Sequence, residues 1–235
     1  MISVGARHDI TLTAKPATTT CSHRISHGYH LGMIAGMDVL VLGATGRVGK
    51  AFVAQAIAAG HSVSAIVRDA DAGLPPEVKV ATGDVLDSGI AALVKPEQVI
   101  VGTLGGAEAL TKGYANIVQA ATRAGARRII ALVGAGVLQA DEKTLRNDLP
   151  NYPERLRAIG ASHAAVYEAL RTSSLDWTLV CVPNIVDGPA TGTAKSKASY
   201  LPDGKGAITT GDIAAFMLEE LESPRFVRER VGLNT

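Results

Sequence analysis

Aromatic residues are scarce in this 235-residue chain, at 4% of the whole, and its charges nearly cancel to a formal net charge of +1. Such a chain offers neither a basic field for a phosphate backbone nor an aromatic platform for stacked bases, so no nucleic-acid partner is expected. No stretch approaches the roughly 18 uninterrupted apolar residues of a membrane helix, so no membrane partner is expected either. Cysteine is almost absent. Cys21 and Cys181 lie far apart without metal-type spacing, which argues against a metal site and suits a reducing cytoplasm. Cys181 sits inside an apolar run and reads as a buried thiol. What the chain has in plenty is alanine, valine, leucine and glycine, within a hydrophobic share of 47%. That is enough for a large core, and the length fits one α/β domain or at most two small ones.

Residues 1–36 differ from the rest. They hold Thr, Ser, His and Arg with one acidic residue, and their apolar residues follow no sustained period. The segment lacks the continuous apolar stretch of a secretory signal. It reads as an N-terminal extension, disordered or not native, ahead of a domain over 37–235 whose first strand follows directly on Met37. A targeting peptide is the alternative.

The most informative stretch is "VLVLGATGRVGKAFVAQAIAAG". Val39 to Leu42 are four apolar residues in succession, which predicts a strand buried on both faces. Gly43, Gly46 and Gly49 then punctuate a turn, Ala51 to Ala59 carry no helix breaker, and Gly60 supplies a stop. A strand, a glycine turn and a helix start let the backbone approach a phosphate and aim unpaired helix N–H groups at it.

The pattern then alternates. Strands are predicted at "HSVSAIVRD", near Val78 to Ala81, at Val99 to Val101, at "RRIIALVGAG" and at "DWTLVCVPNI", the last cut off by Pro183. Between them come helices over about Ala107 to Ala124, with Leu110, Tyr114, Ile117, Val118 and Ala121 on one face, and over about Glu154 to Thr172. Asp187 to Gly206 reads as a long polar loop of the kind that covers a substrate. A closing helix in "TTGDIAAFMLEELE" has Thr210 or Asp212 as its predicted N-cap. The fold expected is a doubly wound parallel sheet of the Rossmann type, a three-layer αβα sandwich in a single domain. Ligands of such sheets lie at the carboxyl ends of the strands near the switch point. The loops predicted to converge there carry Gly43, Thr45, Gly46, Arg47 and Val48, then Arg68, Thr103, Leu104, Val133, Gly134, Pro183, Asn184 and Ile185. Asp84 and Val85 follow strand three, at the expected adenine end of a dinucleotide.

GATGRVG resembles the atypical branch of the short-chain dehydrogenase/reductase superfamily. With VRD, GDVLD, "PERLRAIGASHAAVYEALRTSSLDW", "CVPNIVDGPATG" and "ITTGDIAAFML" in the same order, residues 37–222 are similar to the NmrA-like reductases of the flavin reductase/biliverdin reductase B type. The resemblance implies an NADPH-binding Rossmann domain that passes hydride to a flavin, a quinone or a tetrapyrrole-like acceptor, as a monomer or weak dimer. Its rival is a non-catalytic NmrA-like regulator that senses NADP(H).

Two departures bear on chemistry. A Tyr-x-x-x-Lys pair, whose lysine lowers the tyrosine pKa for carbonyl reduction, is missing: Gly160 and Ala164 stand where related reductases carry it. The resemblance also implies a serine after strand five and a histidine after strand six, and here those positions are Gly134 and Asn184. The candidate catalytic residues are therefore Asn184, which keeps hydrogen-bonding ability, and His163, which matches a histidine of the resembled family. Tyr167, one turn on, reads as a packing residue. NADP(H) is expected in preference to NAD(H), because strand two ends in Arg68, 19 residues after Gly49. NAD-selective sites place an acid there, whereas Arg68, helped by Arg47, suits a 2′-phosphate. Asp69 and Asp71 argue the other way.

Overall fold

Valine and leucine alternate along the first strand, β1 (Asp38–Leu42), and the alternation divides the core. Val39 and Val41 join one buried cluster and Leu40 and Leu42 the other, as a strand sandwiched between two helix layers requires. In the computed structural model, which describes residues 36–235, β1 is followed by α1 (Arg47–Ala58), β2 (Ser62–Val67), β3 (Lys79–Thr82) and β4 (Val99–Gly102). Then come α2 (Tyr114–Ala124), β5 (Arg128–Gly134), α3 (Glu154–Arg171), β6 (Asp176–Val182) and β7 (Asn184–Val186). The chain closes with β8 (Lys195–Ala198), β9 (Ala207–Thr209), α4 (Thr210–Glu222) and β10 (Glu229–Asn234). The N-terminal extension read from the sequence lies outside the described residues.

The main sheet runs β3-β2-β1-β4-β5-β6-β10-β8. Every pairing is parallel except that of β10 with β8. Phe52 and Val53 of α1 and Ile213 and Met217 of α4 fill the core on one face. Tyr114 and Ile117 of α2 and Val166 and Leu170 of α3 fill it on the other. This is the doubly wound, three-layer single domain expected, with its switch point between β1 and β4.

Several local expectations need correction. The first helix starts at Arg47, so Gly49, read as part of the turn, lies inside it and Gly46 is its N-cap. The second helical stretch opens with a π-helical turn over Ala109–Gly113. The N-cap of α4 is Thr209, whose hydroxyl accepts from the Asp212 N–H at 3.0 Å, rather than Thr210 or Asp212. The polar stretch 187–206 is not a free loop. Lys195–Ala198 pair antiparallel with β10, and the Asp212 carboxylate accepts from Thr191 N at 2.7 Å and Gly192 N at 3.1 Å, which fastens the stretch to the start of α4. Neither β10 nor the small parallel ladder of β7 with β9 was legible in the pattern. Cys181 is fully buried, and burial pushes its thiol pKa up, as its apolar setting suggested.

Candidate functional site

Register sets the heights of the strand ends. Leu42 is level with Gly102, Gly102 with Ala131 and Ala131 with Leu179. Strands β5 and β6 then run on together, so that Val133 faces Cys181 and Gly134 faces Val182. The carboxyl edge therefore has a low floor at β1 and β4 and a raised wall at β5 and β6.

The floor is the glycine turn. Gly43 turns the chain at φ +84°, a left-handed conformation that glycine adopts without a Cβ penalty. A Cβ there would also stand 2.8 Å from the Thr103 carbonyl oxygen. The Gly46 N–H donates to Gly43 O at 2.9 Å, and the first α-helical bond of α1 runs from Lys50 N to Gly46 O at 2.9 Å. The N–H groups of Arg47, Val48 and Gly49 thus precede the ladder and point outward along the axis. No acidic residue in the first turn offsets the positive end of the helix, which leaves it free for an external anion. The Thr103 hydroxyl donates to Leu42 O at 3.2 Å and Gly43 O at 3.1 Å, tying β4 to the turn.

A cleft of about 270 Å³ opens on this turn. It gathers Gly43, Thr45, Gly46, Arg68, Asp84, Val85, Thr103 and Leu104, eight residues that sequence reasoning placed together. Gly83 and Leu86 extend it past β3, where a shallower recess adds Lys112 and Asn116. The Asp84 carboxylate is engaged locally, accepting from Leu86 N at 2.9 Å. Asn116 Nδ2 donates to Val85 O at 3.0 Å and fixes that backbone. Asp69, read as a counterweight to Arg68, accepts from Asp71 N at 3.0 Å and so caps its own turn.

The other predicted residues lie outside this cleft. Val48 is buried beneath the turn. Arg47 is exposed and reaches across to Asp187 at 3.2 Å, an ion pair between the glycine turn and the segment after β7. Val133 and Gly134 end β5, Pro183 follows β6, and Asn184 and Ile185 begin β7. Asn184 is exposed, and its backbone N–H donates to Gly206 O at 3.3 Å.

His163 lies across the end of β5. A Cβ on Gly134 would stand 2.8 Å from its Cε1 and 2.9 Å from its Nδ1. Gly134 is therefore the space that the imidazole occupies. Burial lowers the His163 pKa, so the ring is neutral near pH 7. Two residues on, a Cβ at Gly136 would fall 1.8 Å from Asn147 Oδ1 and 2.7 Å from the Tyr152 hydroxyl. Asn147 Nδ2 also donates to Gly160 O at 3.1 Å, and a Cβ at Gly160 would lie 2.7 Å from Asn147 Oδ1. The notch left by Gly160, where the sequence lacks a tyrosine, is thus filled from the segment before α3. Sequence reasoning missed Asn147 and Tyr152. A glycine in the middle of an otherwise good helix was the available signal. Tyr167 packs edge-on against Trp177 with ring centroids 6.0 Å apart, as read.

The family described as NAD(P)H-binding matches residues 43–224 of this chain. A 3-diazoavenalumate denitrifying reductase from Streptomyces sp is 32% identical over 207 residues, covering 74% of this chain and 67% of that protein. Among solved structures, the anaerobilin reductase ChuY from Escherichia coli O157:H7 superposes with a TM-score of 0.74 at 26% identity, over 84% of this chain and 97% of its own. A Streptococcus pneumoniae TIGR4 protein assigned as an NADH-flavin reductase gives 0.74 at 27% identity, over 85% and 99%.

Proposed function

We propose that this chain, which belongs to the NAD(P)H-binding family and is an NAD(P)H-dependent oxidoreductase, passes hydride from NADPH to a flavin, a quinone or a similar planar acceptor. The observation that carries this reading is the glycine turn at the switch point, with its uncompensated helix end opening into a cleft that runs from Gly46 to Arg68 and Asp84. A dinucleotide is a long diphosphate with a base at either end, and the cleft offers groups in the matching order. The N–H groups of Arg47, Val48 and Gly49 would take the diphosphate. Arg68 would take a 2′-phosphate, while Asp84 and Val85 would flank the adenine. Thr103, Leu104, Val133, Gly134, Pro183, Asn184 and Ile185 would border the nicotinamide.

The bound cofactor supplies the hydride, and the protein supplies orientation and proton donors. Neutral His163 at the end of β5 and Asn184 at the start of β7 are the side-chain candidates beside the acceptor. That the resembled reductases include proteins acting on flavins and tetrapyrroles supports a flat conjugated acceptor. We place the enzyme in the cytoplasm as a monomer or weak dimer, on the cysteine usage and the family resemblance. No helix among the described residues is long and apolar enough to cross a membrane.

Gly134 and Asn184 also favour a second reading, a sensor that binds NADP(H) without turnover, because neither residue supplies an acidic proton. NADPH oxidation followed at its absorbance band, with FMN and with menadione, separates the two. Turnover with either acceptor supports the enzyme. Tight binding of NADPH with no turnover on a panel of flavins and quinones supports the sensor.

A further inference from the structure

Two polar side chains reach Gly136, just beyond the end of β5, and they differ in what they have left to offer. Asn147 has only an acceptor left: its amide donates to Gly160 O, and its Oδ1 is buried against the Gly136 backbone with no hydrogen-bond partner among the described residues. The Tyr152 hydroxyl makes no hydrogen bond among the described residues, yet it is not one of their fully buried orphan groups, so it keeps a free donor within reach of solvent. We propose that Tyr152, delivered by the segment before α3, is a catalytic residue that donates a proton to a carbonyl oxygen of the acceptor. The proposal rests on the reading of this edge as the site of hydride transfer.

The placement follows from the missing side chains. Helix α3 presents Gly160 to Gly136, and Asn147 wedges between them as a prop. The chain then doubles back, with Tyr152 N donating to Leu149 O at 3.0 Å. Arg157 holds that bend from α3 by donating to Asn147 O at 3.2 Å and Leu149 O at 3.5 Å. The tyrosine hydroxyl thereby arrives beside Gly136, in the 3-10 turn Ala135–Val137 that follows the His163 ring at Gly134. Burial raises the phenol pKa, against the opposing positive charges of Arg146 and Arg157. Tyr152 is therefore protonated at neutral pH, though a weaker acid than a free phenol, and its part in the proposal rests on its placement.

The chemistry balances without a further reactant. A quinone accepts the hydride taken from the C4–H bond of the reduced nicotinamide, which is oxidised as the quinone is reduced. The electron pair displaced through the conjugated ring settles on the carbonyl oxygen. Tyr152 gives that oxygen its proton, and water reprotonates the phenolate. A flavin differs, since its reduced ring spreads the charge and can take its proton from solvent. Quinone reduction is therefore the activity that leans on Tyr152.

Tyr152→Phe tests this. Among the described residues the phenol makes no hydrogen bond that phenylalanine would break, so the variant should melt like wild type and bind NADPH equally. Its kcat/KM for menadione should fall on the order of a hundredfold, the low end for a positioned proton donor, with its kcat/KM for FMN falling several-fold less. Titration of menadione into the NADP⁺-loaded protein should give a weaker Kd in the variant, from the lost hydrogen bond. Menadione turnover within twofold of wild type, or equal losses with both acceptors, overturns the proposal. A wild type that reduces neither acceptor would instead bring down the hydride-transfer reading beneath it. Should Tyr152→Phe fold poorly, the solvent deuterium isotope effect of wild type decides. A normal effect on menadione turnover, absent with FMN, upholds the donor, and none with menadione removes it.

Discussion

Replacing Gly46 with valine should abolish dinucleotide binding while leaving the fold nearly intact, and the neighbouring glycine supplies the control. A Cβ at Gly46 meets one protein atom, Gly43 O, at 3.2 Å, and the backbone there is extended at φ −74° and ψ 169°, which valine adopts readily. The cost to stability should be about 1 kcal/mol, the scale of a poor N-cap, or a loss of about 2–4 °C in Tm for a domain of this size. The added methyls would instead fill the approach to the free N–H groups of α1. At Gly49 the situation reverses. A Cβ there would stand 2.1 Å from Gly43 O and 2.9 Å from Ala44 Cα, so the helix must move off the turn. Gly49→Ala should cost about 3 kcal/mol, or roughly 6–12 °C. Thermal melts, with NADPH titrations followed by its fluorescence, read both effects. The expected result is a loss of NADPH affinity of at least about a hundredfold in Gly46→Val, corresponding to ~2.7 kcal/mol, at near-wild-type Tm. Normal binding by Gly46→Val, or a Tm loss as large as that of Gly49→Ala, refutes the assignment of the turn to phosphate.

Arg68→Ala should weaken NADPH more than NADH; Kd values for both at matched salt check this, and an unchanged ratio removes Arg68 from the 2′-phosphate site. Asp187→Asn frees Arg47 and should tighten either dinucleotide by about two- to fivefold, the scale of an exposed ion pair, with no gain when Arg47 is also replaced. A protein starting at Met37 should bind NADPH and melt as the full chain does, since the described contacts of β1 begin there through Met37 N to His61 Nδ1; a large Tm loss refutes it. The His163 pKa is lower in the folded state than in the unfolded one, so the unfolded chain holds more protons below about pH 6.5 and stability falls as pH drops through that window. His163→Gln should flatten that fall in melts between about pH 8 and 5, and equal slopes would show that the imidazole is not disfavoured as a cation.

What the sequence revealed was what local pattern can encode. β1 was readable because Val39–Leu42 are buried on both faces and no polar residue interrupts them, and the turn because glycine marks both its positive φ and its closest contact. β10 was not, because Glu229, Arg230 and Asn234 interrupt its apolar residues. Their partners are distant in the chain: Arg230 donates to Val137 O and stacks on Tyr167 at 4.5 Å, and Asn234 accepts from Gly206 N at 3.0 Å. β8 has four exposed residues and gains its place wholly from its neighbour. The candidate site divides the same way. Its cofactor half follows from strand ends, which periodicity finds. Its acceptor half depends on side chains filling spaces left by Gly134, Gly136 and Gly160, and such complementarity has no period to read.

The position of β10 has a consequence for how the protein is made. It follows both β6 and β8 in the chain yet lies between them in the sheet. While the chain is still emerging from the ribosome, β6 presents an open, apolar edge, and β8 has been synthesised without anything to pair with. Closure of the sheet therefore waits for Glu229–Asn234. A nascent chain that has not yet reached Glu229 exposes the kind of unpaired strand that recruits other chains, and that interval is one of demand on chaperones.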